Sequence, residues 1–181
     1  GSGKIVEGMS AGEIDLVTQA MIDGSIWYGP GGVVRHAMSG IDMALWDIRG
    51  KISDQPARNL LNQTAVDRVP CYASVLWPNR PEEIAVSAES FLEQGYKSVK
   101  YGWGPMGPDA ALDESLVASA REALGTEIDL MVDAGRVWDV ETAYSRIEQL
   151  KQYNLRWLEE PLNPYDIKGY KKLKYLIIKF E

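Results

Sequence analysis

The sequence predicts an α/β chain forming part of a parallel (β/α) TIM-type barrel, and three observations carry that expectation. From residue 69 onward, four strand-then-helix units follow one another, and such crossovers are what parallel strands require. The units recur about every 30 residues, the spacing of a (β/α) barrel. Their strands are apolar nearly throughout, as in Ile128, Leu130, Met131 and Val132, the mark of strands buried on both faces. A flavodoxin-like sheet shares these signals and stands as the alternative at this point.

The elements follow in order. Residues 11–24, "AGEIDLVTQAMIDG", place Ile14, Leu16, Val17, Ala20 and Met21 at helical spacing. "WYGPGG" (27–32) reads as a loop by its Gly and Pro content. "VVRHAMSGIDMALWDIRGK" then predicts a buried helix with Val33, Ala37, Ile41, Ala44, Leu45 and Ile48 as its apolar stripe. The proline in "SDQPARNLL" stops and restarts that helix.

In the repeating part, strands are expected over 69–77, 97–103, 127–135 and 155–162. Helices are expected over 80–95, 108–125, 139–154 and 165–174. The first of these helices has Pro in its first turn and Gly just past its end. The flavodoxin-like alternative explains less, because a helical block precedes the first strand and "GWGPMG" (102–107) lacks the Lys-Ser/Thr of a phosphate loop.

Composition narrows the function. Of 181 residues, 45% are hydrophobic and 25% charged, a globular balance. The net charge of −7 argues against nucleic acid and anionic membranes as partners. A single cysteine, Cys71, excludes an internal disulfide framework and fits a reducing cytoplasm. No apolar stretch approaches the roughly 18 residues of a membrane span, and the N-terminus lacks signal-peptide character. The expected location is cytoplasmic.

Chemistry gathers at the strand ends. Parallel connectivity brings the C-terminal ends of all strands to one edge, where ligand sites of such folds lie. The residues near those ends are Trp77, Lys100, Asp133 and Glu159. Asp133 and Glu159 stand one strand–helix unit apart, which makes them neighbours on adjacent strands. Two carboxylates so close repel one another unless a cation lies between them. Mg²⁺ suits such a site, since it takes carboxylate oxygens plus water. Lys100, one unit earlier, is placed to act as a base or to hold an anionic substrate. His36, alone within a helix, reads as structural, and the Trp and Tyr residues read as core and pocket wall.

The segments "SGIDMALWDIRGK" (39–51), "GYKSVKYGWGP" (95–105), "LMVDAGRVWD" (130–139) and "WLEEPL" (157–162) together resemble the mandelate racemase/muconate-lactonising group of the enolase superfamily. The resemblance implies a Mg²⁺-dependent (β/α)-barrel enzyme that removes the proton α to a substrate carboxylate. The metal stabilises the resulting enediolate, and racemisation or dehydration of a hydroxy or sugar acid follows. It implies Asp133 and Glu159 as metal ligands, and Lys100 as the first lysine of a Lys-x-Lys pair. The second position is Gly102 here, so the residue usually assigned as base is missing; Lys100 is left as either base or carboxylate anchor. Gly135 likewise replaces a polar residue that often follows the metal Asp.

Against the family's length, the chain is expected to be truncated at both ends. Residues 1–30 are then a helical remnant of the N-terminal capping domain, and residues 31–181 the first half of the barrel. "YLIIKF" (175–180) is either an altered tail or a fifth strand that brings Glu181 up as a third ligand. Half a barrel has open strand edges, so a homo-oligomer built on those edges is expected, with a small-molecule carboxylate as the other partner. A non-catalytic half-barrel held by such association is the alternative reading.

Overall fold

The computed structural model describes residues 2–29, 31–62, 64 and 66–177. The chain divides into two compact units that meet at Val69 and Pro70.

The first unit is helical: α1 (Ser2–Val6), α2 (Ile14–Gly24), α3 (Gly32–Ser53) and α4 (Ala57–Leu61). One apolar cluster holds it together. Ile14, Val17 and Met21 recur on one face of α2 and meet Met38 and Leu45 of α3, with Val34 and Ile41 packed alongside. This corrects the expected stripe of α3: Ile41 and Leu45 do face the core, but Val33 is 82% exposed and Ala37, Ala44 and Ile48 are also exposed. The helix carries two apolar faces, and the one bearing Met38 and Leu45 meets α2. Helices α2 and α3 share this core within the first compact unit, which runs to Val69. His36 lies exposed on α3.

The second unit alternates strand and helix. Its elements are β1 (Ala73–Leu76), α5 (Ile84–Glu93), β2 (Ser98–Gly102), α6 (Ala110–Leu124), β3 (Asp129–Asp133), α7 (Val140–Leu150), β4 (Leu155–Glu159) and α8 (Ile167–Ile177). The four strands form one parallel sheet in sequence order, as consecutive (β/α) units dictate. Helix starts are set by Asp109, whose carboxylate accepts from the backbone of Ala111 and Leu112, and by Asp139, which accepts from Thr142.

One face of the sheet is closed by the helices. Val99, Tyr101, Leu130 and Val132 point there and are fully buried against Ile84, Ala88, Leu116, Val117 and Ile147. Trp77 joins this core, its ring stacked on Tyr101 at 4.7 Å. It therefore turns away from the face that carries the strand-end acids, and Leu76 takes the position level with Gly102. The expected fifth strand begins inside α8, which runs through Ile177; residues 178–181, Glu181 included, lie outside the described residues.

Two polar devices lock the helical layer. At the strand-start edge, the Arg121 guanidinium donates to the carbonyls of Gly125, Ile128, Tyr153 and Asn154, which ties α6 to the turns before β3 and β4. At the opposite edge, Arg146 of α7 pairs with the fully buried Asp113 of α6 at 2.8 Å, and Asp113 also accepts from Gly107 N at 2.7 Å. That second pair holds the β2–α6 loop, which begins directly above the acids. Removing one partner would strand a buried charge. Arg146→Ala is expected to lower the stability of this unit by about 3–5 kcal/mol, read from urea unfolding. Joint replacement of Asp113 and Arg146 by Leu and Met should recover much of that loss, and an unchanged midpoint in Arg146→Ala would show the pair to be idle.

Candidate active site

The face opposite the helices carries the polar residues. Strand pairing sets their heights: Leu76, Gly102, Asp133 and Glu159 lie side by side in the last layer, and Ser74, Lys100, Met131 and Trp157 in the layer beneath. Alternation along each strand keeps both layers on the same face.

Glu159 reaches this face only because of a break in register. Leu130 pairs with Leu155, but the next residue of β3, Met131, pairs with Trp157. One residue of β4, Arg156, is therefore extra; it swings aside and ion-pairs with Asp129 at 3.0 Å. Without that bulge Leu158 would stand beside Asp133, and Glu159 would point at the helices.

Three sequence-predicted residues are brought together here. Lys100 Nζ donates to Glu159 Oε2 at 2.7 Å and lies 4.0 Å from Asp133 Oδ2. The ammonium is nearly buried, at 9% exposure. Below it, the Tyr72 ring lies 5.6 Å away and meets Trp157 edge-on at 5.6 Å, so the residue just before β1 touches β4 across this face. Asp133 is oriented by Gly135 N, which donates to Oδ1 at 2.9 Å, and by the indole N–H of Trp103, which donates to Oδ2 at 2.9 Å. The Trp157 indole donates to Glu159 Oε2 at 3.2 Å.

Gly102 is fixed by space. A Cβ there would lie 2.6 Å from Cβ of Asp133 and 3.0 Å from its carbonyl oxygen, so a second lysine at this position would displace the acid beside it.

Sequence reasoning missed the outer rim. Trp103, Arg136 and Glu160 follow the ends of β2, β3 and β4 and all adopt left-handed backbone, with φ of 61°, 68° and 44°. Large side chains rarely do so, because Cβ crowds the backbone. Hydrogen bonds that continue the sheet hold them there: Trp103 N to Asp133 O at 3.1 Å, and Arg136 N to Glu160 O at 2.6 Å. The only sequence signal was the glycine content of "YGWGP" and "DAGR".

The electrostatics follow from the ion pair. The hydrogen bond from Lys100 holds the Glu159 carboxyl below its ordinary value of 4.5; burial opposes this, and the Trp157 N–H and the lysine's charge assist. For Lys100, burial works against the charge, but the hydrogen bond to Glu159 and the charges of Glu159 and Asp133 outweigh it and raise the ammonium above 10.5. A depressed carboxyl stabilises the fold above its unfolded value, and that contribution fades as pH falls through the depressed one. A raised ammonium contributes below about 10.5 and loses its effect only as pH climbs past the raised value. The pair is therefore intact across the neutral range. In Lys100→Met the Glu159 titration, followed by carboxyl carbon NMR, is expected to move upward. A midpoint that stays depressed would assign the shift to another group.

Two carboxylates with hard oxygen donors suit Mg²⁺, which accepts one or two protein carboxylates and completes its shell with water or substrate. No group of three or more His, Cys, Asp or Glu side chains gathers for a metal among the described residues; Asp133 and Glu159 are two carboxylates at neighbouring strand ends.

A parallel (β/α) sheet that gathers acids and a lysine at its strand ends defines a ligand site of the barrel-enzyme type. Family comparison carries this further. The enolase C-terminal domain-like family matches residues 83–179, and the mandelate racemase/muconate lactonizing enzyme N-terminal domain matches residues 5–62. The chain belongs to the mandelate racemase/muconate lactonizing enzyme group of the enolase superfamily.

Solved structures agree. The chain is 31% identical to the 3,6-anhydro-D-galactonate cycloisomerase of Zobellia galactanivorans, with 93% of this chain and 46% of that one covered at a TM-score of 0.84. It is 31% identical to a racemase of Streptomyces coelicolor A3(2) solved with bound magnesium, with 93% and 46% covered and a TM-score of 0.82. It is 29% identical to the L-talarate dehydratase of Polaromonas sp. JS666 solved with Mg and L-glucarate, with 97% and 50% covered and a TM-score of 0.84. The chain thus spans about half the length of each of these structures.

Proposed function

We propose that the strand ends of residues 70–181 form part of the active site of a Mg²⁺-dependent, mandelate racemase-like enzyme. Its reaction would be removal of the proton α to the carboxylate of a hydroxy or sugar acid, leading to dehydration or racemisation. The observation that carries this reading is the convergence of Asp133 and Glu159 on a single cation, the Lys100 ammonium. The magnesium and sugar-acid ligands of the solved relatives support it.

Asp133 and Glu159 would hold the ion. Bound Mg²⁺ would supply positive charge to the substrate carboxylate and make its α-proton more acidic. Asp133 is already oriented for that by the Gly135 and Trp103 donors. Lys100, released from Glu159, would offer its N–H groups to the substrate carboxylate and fix its plane. The structure favours this anchoring role, since Nζ stands within reach of carboxylate oxygens and is walled by Tyr72. Trp157 and Tyr72 would line the lower side.

Metal and lysine compete for the same oxygens, which makes the reading testable. Titration with Mg²⁺ is expected to raise the chain's unfolding temperature, with the effect lost in Asp133→Asn and in Glu159→Gln. In Lys100→Met, Mg²⁺ should bind about two- to five-fold tighter, the equivalent of one partly exposed ion pair. Stabilisation by Mg²⁺ that persists in Asp133→Asn would place the ion elsewhere and defeat the proposal.

A second reading rests on the sheet margins. Among the described residues, β1 and β4 are each paired on one side only, and Leu76 is 69% exposed at one margin. Unpaired edges beside apolar side chains favour association. A chain of these 181 residues is accordingly expected to form homo-oligomers through those edges, with or without turnover. Light scattering at tens of micromolar would overturn this by showing a monodisperse monomer.

A further inference from the structure

The rim above the acids includes Arg136 and Glu160, which the proposed proton abstraction does not use, and the ring of Trp103, of which it uses only the N–H. Trp103 stands half exposed over Asp133 and donates its indole N–H to Oδ2 at 2.9 Å. The Arg136 guanidinium lies over the same ring, 6.0 Å from its centroid, and its Nε is 3.6 Å from Glu160 Oε2. Each of the three residues sits in left-handed backbone. Such conformations are strained for residues other than glycine and persist where the surroundings enforce them. The three side chains form a chain of contacts that starts at the site, from Asp133 through Trp103 and Arg136 to Glu160.

We propose that Trp103 and Arg136 form a second binding subsite, which takes the distal carboxylate of a dicarboxylic sugar acid. This rests on the proposed function, which supplies the first carboxylate's place at Lys100 and the ion. The indole lies between the two charged positions: one edge bonds to Asp133, and the ring supports Arg136. A chain of several carbons laid along that ring would carry one carboxylate to each. A guanidinium is suited to the far end because its fork matches carboxylate geometry, and stacking on an aromatic ring holds it flat. Glu160 keeps Arg136 neutralised in the free protein. At 3.6 Å that contact is long, and both side chains are 47% exposed, so an incoming carboxylate can replace Glu160 without a buried charge being broken. The carbon chain would add apolar contact with Trp103. A monocarboxylic acid of the same length would leave Arg136 paired with Glu160 and gain nothing from it.

The test is calorimetric titration of the full chain, in excess Mg²⁺, with glucarate and with gluconate, which differ in one terminal carboxylate. Glucarate is expected to bind about tenfold tighter, the size of one charge-assisted hydrogen bond. Arg136→Gln should erase that preference while leaving gluconate unchanged, and Arg136→Lys should keep only part of it. Glu160→Gln, which removes the internal competitor, should tighten glucarate alone. Equal binding of the two acids, or binding of neither, overturns the proposal, as does a preference that survives Arg136→Gln. Because Mg²⁺ stabilisation is measured without any acid, its failure counts against the metal site alone. A glucarate preference that depends on Arg136 would stand even then.

Discussion

The strand-end architecture depends on one ammonium group held among carboxylates. Lys100 reaches Glu159 at 2.7 Å and lies 4.0 Å from Asp133, so three consecutive strands are tied by charge on a face that the helices do not cover. Without a cation at that point, two acids in register on neighbouring strands would repel each other across the sheet. The parallel fold creates the problem, because consecutive βα units deliver their last residues to one edge. It also supplies the remedy from the strand before, one layer deeper. In this structure Lys100 performs that electrostatic task by itself, bridging the two acids from the layer beneath them.

The register break in β4 makes that arrangement possible. A regular strand would have paired Met131 with Arg156 and sent Glu159 into the apolar layer beside Val132 and Tyr101. The extra residue costs one ladder position, and the Arg156–Asp129 ion pair offsets part of that loss. Both strands flanking the break are pinned at their starts by the four carbonyl bonds of Arg121. The other edge is held by the buried Asp113–Arg146 pair, so the helical layer is fixed at both edges of the sheet.

Sequence reasoning reached the parallel sheet, the order of its elements and the placing of Asp133 and Glu159 at neighbouring strand ends, because apolar runs and unit spacing are written in residue type. It placed Lys100 on the right strand for the same reason. It read the Trp and Tyr residues as core and pocket wall, and packing against Tyr101 decides that Trp77 joins the core. It chose the wrong stripe of α3 because that helix has two apolar faces, and only the fit to α2 decides between them. The bulge and the rim were not legible at all. No residue pattern announces that Arg156 will be skipped, or that Trp103, Arg136 and Glu160 will take up backbone angles usually left to glycine. Those features follow from the sheet continuing its hydrogen bonds past the strand ends, a tertiary cause.

Gly102 links these levels. The resemblance that identifies the family leads one to expect a second lysine there, and the sequence alone offers no reason for its loss. The structure supplies a steric one: a Cβ at 102 would lie 2.6 Å from that of Asp133, far inside contact distance. The glycine lets β2 and β3 draw together at their ends, so that Trp103 can fold back and hydrogen-bond to Asp133. A lysine at 102 would have to push Asp133 away, and with it the Trp103 bond and the support beneath Arg136. The site has given up a basic side chain within the sheet and gained an aromatic and cationic wall above it. Residue 102 therefore contributes close strand packing to this edge, and the charged and aromatic groups there come from the layer beneath and from the rim above.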